Sequence, residues 1–356
     1  GLSQAILQIP LGLLSDKFGR KPVIYAGLTV FVIGSVVAAL ATSIEVIILG
    51  RLLQGCGAIS SSLLALVADV TRTESRTRAM AIVGISIGSS FGISLVLGPL
   101  IADSFGLSGV FAVTALAGAL GILVLAKVVP TPAVSSYQSN TRLALDKVRG
   151  VLLDANLMKT TLGVFMLHYL LMSAFLVFPQ VLQQAGFEAA EHYQIYFWLL
   201  LATFVLMGPF MWLAEKQGFG RYLMLVMIAA FALSQVMLAN VITALLVITV
   251  MGLFFMAFNL LEVILPAFVS RIVHAGERGT AMGVYSSCQF LGAFVGGLVG
   301  GLLLEMWDIS VLVYVNAACC VLWFIAALGL NGFEHFASVT FEIEAEDERP
   351  ADEVVK

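Results

Sequence analysis

The chain has 356 residues, 60% of them hydrophobic and only 11% charged, with a mean hydropathy of +1.02. A water-soluble globule is about half apolar and about a quarter charged, so this composition excludes one and implies a polytopic all-α membrane protein. The net charge of −4 averages a basic face with an acidic tail, and Cys56, Cys288, Cys319 and Cys320 lie in apolar stretches without metal-ligand or disulfide spacing, so they read as small buried hydrophobes.

At about 20 apolar residues per span, the predicted helices run in chain order over 1–14, 23–41, 44–70, 77–105, 110–129, 160–183, 192–212, 222–240, 241–272, 279–306 and 309–330. The first is too short for a bilayer core at about 1.5 Å per residue, and the chain does not open on methionine. The expectation is therefore a chain lacking a first helix and part of a second. Residues 130–156 turn polar, beginning Pro-Thr-Pro, and form the one long internal linker; 331–356 is an acidic tail too short to bury a core of its own. The predicted organisation is a helical bundle over 1–129, a linker over 130–156, a second bundle over 157–330 and the tail.

Lysine and arginine set an orientation. Of the 18, all but Arg51 fall in alternate loops, in the linker or in the tail, and the intervening loops carry Glu45, Asp103, Glu188, Glu191, Glu305 and Asp308 instead. The excess of positive charge marks the cytoplasmic side, which places the linker and the C-terminus there.

The most informative stretch is Gly12-Leu-Leu-Ser-Asp16-Lys-Phe-Gly19-Arg20-Lys21-Pro22, a charged hairpin between two apolar spans. Gly12 permits close helix approach, while Gly19 and Pro22 turn the chain and open the next helix. Asp16 lies where it meets either the positive end of a neighbouring helix or Arg20, four residues on. The chain also repeats itself. Arg76-Thr-Arg-Ala79-Met80 recurs as Arg278-Gly-Thr-Ala281-Met282, a shift of 281 − 79 = 202, and a decayed copy of the hairpin places Glu215 at 215 − 16 = 199 residues after Asp16. Parallel repeats of this length suit a transporter of two similar bundles with its substrate between them.

On these residues the chain resembles the major facilitator superfamily, the secondary transporters built from two pseudo-symmetric six-helix bundles. Within it the chain is similar to the YajR-type bacterial inner-membrane transporters, through Gly50-Arg51-Leu-Leu-Gln54-Gly55-Cys-Gly57-Ala58, Ala257-Phe-Asn259-Leu-Leu-Glu262 and Ala281-Met-Gly-Val-Tyr285-Ser-Ser-Cys-Gln289-Phe-Leu-Gly292. In two places it departs from that pattern. The tail is shorter than the soluble domain such proteins carry, and Ala102-Asp103 stands where two glycines should follow the Gly98-Pro99 pair of antiporters.

The resemblance implies a conformational switch in the hairpin residues Gly12, Asp16, Gly19, Arg20 and Lys21 with Asp69, an acid at the cytoplasmic end of the 44–70 span. Asp16, Arg20 and Asp69 would form a charge cluster that latches the two halves. Arg51, about two turns into its span, is expensive in a bilayer; it is either a proton-coupling residue or a structural ion bonded to carbonyls of a neighbouring helix. Glu262 is the one carboxylate deep in a span and shares a helix face with Asn259. It is either a proton- or cation-binding group or a structural carboxylate. His168 is a third proton-coupling candidate, against the reading of a satisfied interhelical donor. Gln54, Tyr169, Phe175, Asn259, Tyr285 and Gln289 are the substrate-cavity candidates, with Phe178, Gln4 and Gln8 further candidates to line it.

The expected function is secondary active transport of a small organic solute by alternating access, with proton-coupled efflux as the leading reading. The alternatives are proton symport of a polar metabolite, and a sensor that keeps the transporter fold without transport. No enzyme chemistry, metal site, cofactor or nucleic-acid partner is expected; the partners are the solute, protons and a bilayer, taken to be a bacterial plasma membrane, and the chain is expected to be a monomer.

Overall fold

The computed structural model describes residues 1–71, 76–130, 148–150, 152–217, 219–239, 243–273 and 278–330; the side chain of Asp16 lies outside this set, as do most of the linker and the whole tail. Among the described residues the fold is all-α. In chain order the helices are α1 (Leu2–Phe18), α2 (Arg20–Ala39), α3 (Ile44–Cys56), α4 (Ser60–Val70), α5 (Arg76–Lys127), α6 (Ala155–Gln184), α7 (His192–Gln217), α8 (Gly220–Leu238), α9 (Ala244–Ile272), α10 (Arg278–Met306) and α11 (Ile309–Leu328). Nine stretches among them are long and apolar enough to cross a membrane, one being the 42-residue run Ser86–Lys127.

The 77–105 and 110–129 spans are two helices in direct succession, numbered together as α5, that meet at Gly106, whose φ of 65° and ψ of −172° break the helical path in a conformation that glycine adopts without strain. Two boundaries differ from the sequence reading. The 44–70 span is divided at Gly57, Ala58 and Ile59 into α3 and α4. Glycine is a poor helix residue, and α2 approaches closely at this point: a Cβ on Gly57 would sit 2.6 Å from the carbonyl oxygen of Gly27. Finally, α1 continues through Asp16 to Phe18 and stops only at Gly19, whose φ of 97° ends the helix.

Side-chain caps start several helices on the two sides of the membrane. Asp154 accepts from the backbone N–H of Asn156 and Leu157 at 2.9 and 2.8 Å to open α6, Thr243 caps α9, and Asp308 caps α11 through Val311 at 3.0 Å. Each satisfies N–H groups that a helix start leaves unpaired.

The last six helices share one core, in which Leu167, Phe178, Phe231, Phe254, Phe268 and Trp323 are sealed from solvent. Glycines set its tightest seam. A Cβ at Gly292 or Gly296 of α10 would collide with the carbonyl oxygens of Phe165 and Tyr169 on α6, and one at Gly300 would meet Leu176 at 2.9 Å. Small residues at four-residue spacing thus bring two backbones into contact, the membrane alternative to large interlocking side chains. The first five helices hold a smaller core around Ile24, Leu66 and Leu125. The two sets meet where α1 lies on α10 and α5 on α7, and where Phe91 of α5 meets the Phe175 ring edge-on at 6.3 Å.

Candidate functional site

Three polar side chains from three helices converge among the last six helices: His168 from α6, Glu262 from α9 and Gln289 from α10. His168 places Nδ1 3.2 Å from the carbonyl oxygen of Val164, one turn back, and Nε2 2.8 Å from the amide nitrogen of Gln289. With Nδ1–H donated to that carbonyl, Nε2 is left as the acceptor for a Gln289 N–H. The same amide nitrogen donates to Glu262 Oε1 at 3.4 Å, so Gln289 bridges the imidazole and the carboxylate. The second carboxylate oxygen, Oε2, lies 3.8 Å from His168 Nε2 and is sealed without a hydrogen-bond partner. Phe258 closes one side of the imidazole edge-on, with ring centroids 5.8 Å apart.

This arrangement can hold a proton in two ways. A proton on Glu262 gives Oε2 a hydrogen to donate. A proton on His168 Nε2 turns that atom into a donor, and a rotation of the Gln289 amide then presents oxygen in place of nitrogen. Such a bridge changes its donors and acceptors without any backbone movement.

The other cavity candidates go to different neighbours. Asn259 donates to Thr203 of α7 at 3.0 Å and is 7% exposed, so although it shares a helix with Glu262 it faces a different partner. Tyr169 is turned towards Cys319 of α11; one residue from His168, it points away from the cluster. Tyr285 is buried with an unpartnered hydroxyl, and Phe175 sits in an aromatic group with Phe91, Phe178, Tyr196 and Phe255. Gln8 is fully buried with both amide atoms unpartnered. Thr203 and Phe258 were not singled out from the sequence. Nothing distinguishes that threonine from the apolar residues around it until α7 is laid against α9.

The charged hairpin forms a second cluster. Arg20 donates Nε to Asp69 Oδ2 at 3.0 Å and Nη1 to the Ser15 hydroxyl at 2.8 Å, and Ser15 in turn donates to the Gly12 carbonyl at 2.7 Å. A Cβ on Gly12 would meet Ser61 Oγ at 3.2 Å, which is the close α1–α4 approach that its lack of a side chain permits. Arg20 and Asp69 both belong to the first five helices, so this pair does not itself span the two sets; α4 does, because it also packs on α10. Asp16 lies outside the described side chains. Lys21 reaches the Val129 carbonyl at 2.7 Å.

Arg51 forms a third cluster on α3. It donates Nη1 to Gln54 Oε1 at 2.7 Å, and the Gln54 amide donates to Ser35 Oγ of α2 at 2.7 Å. Its hydrogen-bond partner is therefore a side chain one turn along its own helix, not the carbonyls of a neighbour.

A sequence model of the Major Facilitator Superfamily matches residues 1–261 and 194–342. The chain belongs to the major facilitator superfamily. Among the relatives of this superfamily member is the inner membrane transport protein YajR of Escherichia coli K12, 40% identical over 97% of this chain and 76% of the relative. A transporter of the Buchnera aphidicola of Acyrthosiphon pisum is 34% identical over 83% of the chain and 76% of its own length. In structure, the human organic anion transporter MFSD10 superposes with a TM-score of 0.72 at 19% identity, covering 92% of this chain and 81% of the other, a likeness of fold. The superfamily member is thus a multi-pass membrane transporter with the all-α architecture expected from its sequence, and its relatives are transporters and not enzymes.

Proposed function

We propose that this chain is a proton-coupled secondary transporter that exports a small organic solute by alternating access. The observation that carries the reading is the His168–Gln289–Glu262 bridge: three helices meet at one ionisable pair joined by an amide able to present either end. Intramembrane ionisable residues mark ion pathways by default, and a pair with an unpartnered oxygen has room to take up a proton. Arg51, held by Gln54, supplies a second charge at membrane depth, on the opposite set of helices.

In this reading the Arg20–Asp69 pair is the conformational switch. It fixes the α1–α2 hairpin to the end of α4, and α4 transmits its position to α10. Asp16 is the third member of the cluster. The basic face is cytoplasmic in a bacterial plasma membrane, by the asymmetry of lysine and arginine, and the working unit is a single chain of two bundles divided at the 130–156 linker. Phe175, Tyr285 and Gln54 are the residues proposed to meet solute.

The test is reconstitution into proteoliposomes with an internal pH dye and an imposed proton gradient, adding lipophilic cations, neutral drugs and sugars in turn. Export coupling predicts that a solute drives proton movement in the opposite direction, and that Glu262→Gln removes the proton signal while solute still binds. Proton movement in the same direction as solute establishes symport instead.

A further inference from the structure

The hairpin joining α1 to α2 and its decayed copy between α7 and α8 share one contact that their sequences do not announce. Lys21, the second residue of α2, donates its ammonium to the carbonyl of Val129, just past the end of α5, at 2.7 Å. Arg221, the second residue of α8, donates Nη2 to the carbonyl of Leu328, the last residue of α11, at 2.7 Å. The donors are 221 − 21 = 200 residues apart and the acceptors 328 − 129 = 199, which is the shift of the sequence repeat. A lysine in one repeat and an arginine in the other make the same bond to the corresponding helix end.

The chemistry favours this bond in both places. The last carbonyls of a helix have no partner within it, and that end carries partial negative charge, so a cation there satisfies a carbonyl and meets the helix dipole. At the end of α11 a second cation joins, because Lys159 of α6 reaches the Gly329 carbonyl. The Arg20–Asp69 pair behaves differently. The positions 200 residues on are Gly220 and Val269, which form no ion pair, and Val269 is buried at 1% exposure.

We infer that the hairpin carries two separable devices. One is a fixed strut, present twice, in which Lys21 and Arg221 pin the last helix of their respective repeats to the second helix of a hairpin. The other is a movable ion pair, Arg20–Asp69, present once. The strut keeps each group of helices rigid, so the helix from which the chain leaves towards the linker or the tail travels with its own hairpin. The ion pair then works against that rigid frame. This inference assigns Lys21 a positioning role distinct from the switch of the proposed function, and it stands whatever solute is carried.

The experiment compares K21M, R221M, K21R, R221K and D69N in the full chain, reading Tm in detergent and, well below Tm, the labelling of a cysteine placed on the basic face. K21M and R221M are each expected to lower Tm by about 0.5–2.5 °C, the effect of one helix-end charge in a protein of this size. K21R and R221K are expected to restore Tm, with labelling as in the parent in all four, whereas D69N changes labelling. An R221M that melts with the parent overturns the inference, as does a K21M that redistributes labelling as D69N does. A failure of solute-driven proton movement leaves both readouts intact, so the fate of the transport reading is told apart from this one.

Discussion

Arg20 and Asp69 are 49 residues apart in the chain and 3.0 Å apart in space, with side chains 17% and 28% exposed. A partly shielded pair of this kind contributes about 0.5–1 kcal/mol. Asp69→Asn is therefore expected to shift the balance between conformations by about two- to fivefold, toward the state open on the basic face. Labelling rates of cysteines on that face measure the shift; equal rates in the two proteins remove the pair from the switch.

Glu262→Gln keeps the shape of the carboxylate and removes its charge. The fold is expected to survive, because Oε2 has no hydrogen-bond partner to lose. Proton-driven transport is expected to fall at least tenfold and its pH dependence to flatten, as measured by solute flux at a series of imposed pH values. A profile unaltered from the parent refutes a proton role at this position.

Gln289→Leu tests the bridge and not the acid. The substitution removes the amide that joins His168 to Glu262 and leaves both ionisable groups in place. Transport is expected to drop while its pH dependence persists with a displaced midpoint, because the two groups then titrate without their shared donor. The same flux assay across pH separates this outcome from that of Glu262→Gln.

Arg51→Ala is expected to leave the protein folded, since the hydrogen bond it removes runs to Gln54 one turn along α3 and Gln54 retains Ser35. Proton-driven flux is expected to be lost, while exchange of solute down its own gradient continues. Full proton-driven flux in this variant makes Arg51 structural.

Gly296 and Gly297 are neighbours with opposite surroundings. A Cβ at Gly296 runs into the Tyr169 carbonyl, while nothing lies within 4 Å of one at Gly297. Gly296→Ala is expected to lower stability by about 1–3 kcal/mol, the usual cost of overpacking, and Gly297→Ala to leave it unchanged. Thermal unfolding of the two variants beside the parent is the measurement.

The membrane class, most helix spans and the superfamily were legible in the sequence because each depends on local pattern. A bilayer demands about 20 apolar residues per crossing whatever the neighbours, and the hairpin from Gly12 to Pro22 carries its own turn chemistry in Gly19. The glycine break between α3 and α4 was not legible. Gly55 and Gly57 are visible in the sequence, but whether a helix breaks at such a point depends on how near α2 comes. The candidate residues were legible as types and not as groupings. Asn259 and Glu262 share a face by spacing, yet one meets Thr203 and the other Gln289, because adjacent turns of α9 face different helices. Tyr169 and His168 are consecutive and point to different partners for the same reason. Sequence alone determined that charge and amide groups lie at membrane depth, since apolar spans expose every exception. Tertiary structure alone decided that His168, Gln289 and Glu262 meet, and that Lys21 and Arg221 serve as matching helix-end cations, because these contacts join different helices, from 27 to 121 positions apart in the chain, through the packing of whole helices.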